Sequence, residues 1–177
     1  MGETLVGGAA RGEDGTFAGG MLRVALYRPE IPQNTGNVAR TCAATHTPLH
    51  LIEPLGFQLS SRHLKRAGLD YWPHVQLEVH AGWEALCERL AGCRFVFFST
   101  RGQRAYNQFR FCRGDCLVFG SETQGLPEEM LAAHRERVVN LPIDRSCVRS
   151  LNLSTAVGIA LFEATRQLSL ERDDSCG

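Results

Sequence analysis

Between Cys116 and Pro127 an apolar run gives way to a polar loop with a glycine at each end, Gly120-Ser121-Glu122-Thr123-Gln124-Gly125. Glycine admits positive φ and lets a backbone come close to a ligand. A buried strand that opens into such a loop before a helix is where parallel α/β sheets bind small molecules. Pro127 suits the first position of that helix, and Glu128 and Glu129 suit its positive end. The loop is not a phosphate-binding P-loop, because no Lys-Ser or Lys-Thr follows Gly125. A second chemical signal lies just upstream. From Arg94 to Arg113 there are five arginines, no acidic residue, and the interleaved aromatics Tyr106, Phe109 and Phe111. Cations and flat rings together suit single-stranded RNA, whose bases can stack. A third is the basic stretch Arg62-His63-Leu64-Lys65-Arg66, either a solvated helix face or a phosphate contact.

Other chemistries are excluded. His46 and His50 are four apart, but His50 falls in a strand and His46 before it, so they do not share a helical face for a metal. Cys112 and Cys116 approach His134 only in sequence order. The seven cysteines form no C-x-x-C pair, and several sit in apolar runs, which points to free thiols in a reducing, cytoplasmic setting. The strand Leu22–Tyr27 is not followed by G-x-G-x-x-G, which argues against a dinucleotide-binding dehydrogenase. No apolar run is long enough to span a membrane. The 19 basic and 19 acidic residues cancel, so global charge does not announce a polyanion partner.

The elements that must position these residues follow from pattern. With 177 residues, 44% of them hydrophobic, the chain can bury one substantial core. Residues 1–20 are rich in glycine and small residues and are expected to be a disordered extension; ordered pattern begins at Met21. Strands are expected at 22–27, 49–52, 76–79, 94–99, 116–119 and 138–141. Helices are expected from Asn34 or Thr35 to about Thr45, from Ser60 or Ser61 to Gly68, over 83–90, after Pro127, and from Ser150 to about Leu168. Residues 100–113 are expected to form a long loop or weak hairpin, and the tail after Ser169 to fray. The last helix is apolar almost all round, so it is deeply buried or serves a subunit interface. About six strands alternating with five helices predict an α/β fold with a mainly parallel sheet, in one domain over 21–168.

Three stretches taken together go further: Pro29-Glu30-Ile31-Pro32-Gln33-Asn34-Thr35-Gly36-Asn37-Val38-Ala39-Arg40-Thr41-Cys42-Ala43, Phe119-Gly120-Ser121-Glu122-Thr123-Gln124-Gly125-Leu126-Pro127, and Arg149-Ser150-Leu151-Asn152-Leu153-Ser154-Thr155-Ala156-Val157. In this order and spacing they resemble the three motifs of the SPOUT RNA 2′-O-methyltransferases. Within that family the likeness is to the small enzymes that act on the wobble cytidine or uridine of tRNA. His50–Phe57 and Lys65–Tyr71 add to it. The resemblance implies a C-terminal trefoil knot, an exception to the usual rule against threading, and a homodimer packed through the first and last helices. It implies S-adenosylmethionine as cofactor, with no metal, and tRNA as partner.

By the same resemblance the cofactor contacts fall on Phe98, Gly120, Glu122, Leu141 and Ser150, largely through backbone. Glu122 is expected chiefly to order its loop. Arg40, Asn34, Ser150 and Asn152 fall at the reacting ribose. A free guanidinium is a poor base, so Arg40 is expected to hold the adjacent phosphate, and the proton acceptor stays open. Arg66, Arg101, Arg145 and Arg149 are the expected RNA contacts. The loop 144–148 departs from the family pattern, which leaves the role of Arg145 open. Two alternatives remain: a family member acting on ribosomal RNA or another tRNA position, and an RNA-binding module that keeps the fold without catalysis.

Overall fold

The computed structural model describes residues 22–59 and 71–173. The expected N-terminal extension, the basic helix with Arg66, and the end of the tail lie outside the described residues. A single parallel sheet is formed by β1 (Arg23–Tyr27), β2 (Leu49–Ile52), β3 (Leu77–His80), β4 (Phe95–Phe98), β5 (Arg104–Ala105), β6 (Cys116–Phe119) and β7 (Val138–Asn140). Its order is β3-β2-β1-β6-β4-β7-β5. Four α-helices are described: α1 (Pro32–Ala44), α2 (Trp83–Arg89), α3 (Glu128–Ala133) and α4 (Leu153–Asp173). No described helix is long and apolar enough to cross a membrane.

The central strands are apolar at every position because both faces of the sheet are covered. Val24, Leu26, Leu49, Leu51, Phe98, Leu117 and Phe119 face one way, onto Val38, Ala39 and Cys42 of α1 and Val157, Ala160, Leu161 and Ala164 of α4. Ala25, Ile52, Phe97, Cys116 and Val118 face the other way, onto Leu86 of α2 and Leu131 of α3. Each fully buried leucine or phenylalanine contributes roughly 1.5–3 kcal/mol relative to exposure, so this double layer makes the strand ends a rigid base. Cysteines in the described residues are all free. Burial pushes the Cys42 thiol up to about 12, so it behaves as a small apolar residue.

Several expectations need correction. The sheet has a seventh strand, β5, which pairs in parallel with β7 and interrupts the expected loop at two residues, Arg104 and Ala105. Two residues are too few to show an alternating pattern. Helix α1 starts at Pro32, with Ile31 at its cap position and no side-chain cap, so neither Asn34 nor Thr35 caps it. Both are buried inside the first turn. Pro127 is the residue before α3, not its first residue. Ser150 does not open α4, which begins at Leu153 and runs to Asp173, past the expected end near Leu168. Nor is α4 buried all round: Ile159, Phe162 and Leu170 are exposed.

One polar feature sits inside the layers. His50 on β2 and His80 on β3 are both buried, and His50 Nδ1 lies 3.0 Å from His80 Nε2. Burial pushes the His50 imidazole down to about 4, the largest of several influences. Glu78 lies on the same face, with ligand atoms of the three residues within 4.8 Å of one another. Its carboxylate is engaged by Arg89, which donates to both oxygens at 2.9 Å. Each imidazole gives one nitrogen to the other, which braces β2 against β3, while His50 Nε2 is buried without a partner among the described residues.

Candidate active site

The three sequence stretches converge at the C-terminal ends of the strands. Glu122, in the loop after β6, turns its carboxylate toward the start of α1. It accepts from the backbone N–H of Glu30 at 2.8 Å, from that of Ile31 at 3.2 Å, and from Asn34 Nδ2 at 3.0 Å. Asn34 Oδ1 then accepts from Asn152 Nδ2 at 2.8 Å. Asn152 Oδ1 in turn accepts from Ser154 N–H at 2.9 Å and Ser154 Oγ at 2.7 Å, which caps α4. A continuous hydrogen-bonded chain therefore runs from the β6 loop through the first helix to the last. Its direction fixes the two asparagine amides, because each donates from nitrogen and Asn34 and Asn152 both accept on oxygen. Thr123 Oγ1 adds a bond to Glu30 Oε1 at 2.7 Å.

The loop that carries Glu122 is tight. Gly125 N–H donates to Ser121 O at 3.0 Å, and Gly125 has φ +71°. A Cβ on Gly120 would fall 2.0 Å from the Gly125 carbonyl carbon. No side chain fits there, so glycine at 120 is required by the loop folding back on itself.

The expected cofactor residues occupy the ends of three adjacent strands: Phe98 ends β4, Gly120 follows β6, and Leu141 follows β7. The Phe98 ring is buried and stacked on Phe119 with centroids 4.6 Å apart, so its side chain belongs to the core. Beside these ends lies a cleft of about 300 Å³ lined by Thr100, Gln103, Gln108, Asn140, Leu141 and Arg145. Asn140 Nδ2 donates to Gly102 O, while its buried Oδ1 has no partner among the described residues. A Cβ on Gly102 would meet the Val139 carbonyl carbon at 2.6 Å, so backbone closely backs this wall. A buried acceptor without a donor costs about 1–3 kcal/mol, and a ligand offering an amino group would supply the missing donor. This open acceptor fits S-adenosylmethionine, whose two amino groups are donors.

The structure separates the remaining expected residues. Glu122 is committed to α1 rather than to the cleft. Ser150 is exposed in the loop before α4. Arg40 is exposed on α1, with its guanidinium carbon 5.6 Å from the Tyr71 ring centroid. Tyr71 is itself fixed, donating to Gly36 O at 2.9 Å. Arg145 lines the cleft, and Arg149 is exposed nearby in sequence. Arg101 ion-pairs with Glu128 at 3.0 Å. In the divergent loop, Asp144 accepts from Ser146 N–H and Oγ at 2.9 and 2.6 Å, and these bonds hold its carboxyl below the usual range. Reasoning from sequence missed Asn140 and Tyr71 as working residues. The first looked like the end of a strand, and the second lies apart from α1 in the chain.

A parallel sheet with a ligand cleft at its C-terminal edge and three motifs joined by one hydrogen-bonded chain defines a class, and the family comparison gives it a name. The SpoU rRNA methylase family model matches residues 21–162, and the chain belongs to that family. A tRNA (cytidine(34)-2′-O)-methyltransferase of Methylovorus glucosotrophus is 48% identical over 151 residues, covering 83% of this chain and 96% of the relative. A solved structure described as structural insights into the 2-OH methylation of C/U34 on tRNA shares 57% identity at a TM-score of 0.78, covering 84% of this chain and 97% of its own. An AdoMet-bound rRNA methyltransferase from Sinorhizobium meliloti shares 30% identity at a TM-score of 0.72, over 84% of this chain and 57% of its own.

Proposed function

We propose that this protein transfers a methyl group from S-adenosylmethionine to the ribose 2′-hydroxyl of the wobble cytidine or uridine of tRNA. The observation that carries the reading is the chain Glu122–Asn34–Asn152, which ties the three family motifs together at the same C-terminal end of the sheet that carries the cleft lined by Asn140 and Leu141. Near-full-length likeness to tRNA (cytidine(34)-2′-O)-methyltransferases supports the choice of substrate.

When bound, S-adenosylmethionine supplies a methyl group already activated by its sulfonium. The protein's tasks are placement and proton removal. Asn140, Leu141 and the backbone at Phe98 and Gly120 would hold the cofactor, with Ser150 at the mouth. Asn34 and Asn152, locked by Glu122, orient the loop–helix junctions against which the ribose rests. Arg40, steadied by the Tyr71 ring, binds the phosphate next to that ribose and lowers the cost of charge developing on the 2′-oxygen. Arg101, Arg145 and Arg149 add phosphate contacts, as would Arg66.

The knot and the homodimer belong to the same proposal. Strand β7 lies between β4 and β5, so the link 99–103 straddles it, and α4 follows β7 in the chain. This order supports a threaded C-terminus. Exposed Phe162 and Ile159 on α4, with Ile31 beside α1, support a dimer built across these helices, and a tRNA substrate fits a cytoplasmic location. The test is methyl transfer from labelled S-adenosylmethionine to bulk tRNA from a strain lacking its own wobble methylase, with the product mapped by nuclease digestion and mass spectrometry. A 2′-O-methyl at the wobble nucleotide is expected. A methyl elsewhere, or on ribosomal RNA alone, would overturn the choice of substrate, and no transfer to any RNA would favour the binding module.

A further inference from the structure

A second and larger cleft, about 500 Å³, opens on the other side of the Gly120–Gly125 loop. Its walls include Tyr27, Arg28, Glu30, Leu55, Gln124 and Arg101. None of the roles assigned to the cofactor uses it. Both walls are latched. Gly56 N–H donates to Pro29 O at 2.9 Å, and a Cβ at Gly56 would fall 2.6 Å from Glu30 Cα. Opposite, Gly125 closes its loop on Ser121. The cleft is therefore preformed between two fixed loops.

Its chemistry is specific. Arg28 is held at φ +52°, a left-handed conformation uncommon for a side chain this bulky. Its guanidinium lies 5.0 Å from the Tyr27 ring centroid, so a cation and an aromatic face are offered together. Glu30 gives one oxygen to Thr123 and keeps the other without a partner among the described residues. Arg101 and Glu128 pair across the same cleft. Two arginines balanced by two glutamates leave the interior of the cleft without the net positive charge that traps a phosphate, so the phosphate contact of exposed Arg101 falls at its rim. The interior suits a flat, uncharged ring that stacks on the Arg28–Tyr27 surface and donates from an amino group to a carboxylate.

We infer that this cleft is a base-recognition subsite for a nucleotide flanking the methylated one in the same RNA, selective for a base with an exocyclic amino group (adenine, cytosine or guanine) over uracil. The inference rests on the RNA-methylation reading above and deepens it. Glu30 couples the subsite to the reaction: its backbone N–H donates to Glu122, the head of the motif chain. A base seated on Glu30 thus steadies the residues that position the ribose.

The test uses full-length protein and anticodon stem–loop RNAs in which each loop nucleotide is made abasic in turn. Arg28→Gly is the variant, since glycine suits φ +52° and leaves the fold unstrained. In wild type, one abasic position flanking the wobble nucleotide should raise KM about tenfold with kcat little changed. Purine in place of adenine, 2-pyrimidinone in place of cytosine, or hypoxanthine in place of guanine should do the same there. Arg28→Gly should raise KM about tenfold on intact RNA and abolish the penalty at that one position. An Arg28→Gly KM within about twofold of wild type, or penalties that multiply at every position, would overturn the subsite. Ultraviolet cross-linking separates this from the methylation reading. A Tyr27 cross-link lost in Arg28→Gly supports the cleft even if no methyl is transferred, and no cross-link at Tyr27 counts against it even if transfer is normal.

Discussion

Glu122 provides the sharpest test of how the site is held. Replacing it with alanine removes an acceptor used by three donors, two backbone N–H groups and the Asn34 amide. Hydrogen bonds to a charged group contribute about 1.5–3 kcal/mol each. The Ile31 bond is exposed and the other two only partly buried, so water replaces much of what is lost. About 1 kcal/mol per bond is then reasonable, or about 3 kcal/mol in total. That is a large share of a typical folding free energy of about 5–15 kcal/mol. Glu122→Gln keeps one acceptor oxygen but turns an amide nitrogen toward a donor, so it should lose about half as much. Urea unfolding at fixed protein concentration is the assay, with midpoint and slope both recorded. The midpoint should fall in the order wild type, Gln, Ala with an unchanged slope. Methyl transfer should fall in parallel, because Asn34 loses its anchor. If Glu122→Ala abolished transfer while the midpoint stayed put, the carboxylate would be acting on the reaction itself, and the positioning argument would fail.

Three further outcomes follow. Arg40→Ala should leave folding and cofactor binding intact while cutting kcat at least about tenfold; full activity would sink its assigned role. Gly120→Ala forces its Cβ within 2.0 Å of the Gly125 backbone, and should cost about 3 kcal/mol with weaker cofactor binding by calorimetry. His50 is pushed down to about 4 from 6.5 by burial first, with His80, Arg23 and Arg89 also opposing its charge and Glu78 favouring it. It stays neutral when folded and gains a proton on unfolding below about 6.5, so its contribution is complete above that pH and is lost as pH falls toward 4. Between those limits about 3 kcal/mol should disappear, and His50→Gln should flatten the urea midpoint against pH across the same window.

Much of this was legible in the residues themselves. The strands of the sheet centre read directly, because runs such as Leu49–Ile52 and Cys116–Phe119 are buried on both faces and carry no polar interruption. The motif residues Asn34, Glu122 and Asn152 were picked out by resemblance, and the structure joins them. What could not be read were partners made across long separations. Asn34 looked like a local helix cap, yet its side chain serves Glu122 and Asn152, 88 and 118 residues away. Ser150 looked like the start of the last helix, but Asn152 holds that place by accepting from Ser154. The pairing of His50 with His80 was invisible because it depends on the register of β2 against β3. β5 escaped notice because its two residues gain their identity only from β7.

The placement of β7 between β4 and β5 bears on how a ribosome makes this enzyme. By the time β4 and β5 have emerged, neither has the neighbour that will separate them, and β1 still lacks β6. The nascent chain therefore carries open strand edges for most of its synthesis, the condition in which partly made proteins stick to one another. The Asn152–Asn34 bond cannot form until residue 152 has been made, since its donor lies 118 residues after its acceptor. A product that stops short of residue 152 lacks the link between the first and last motifs, so the hydrogen-bonded chain from Glu122 through Asn34 is complete only once synthesis has passed that point.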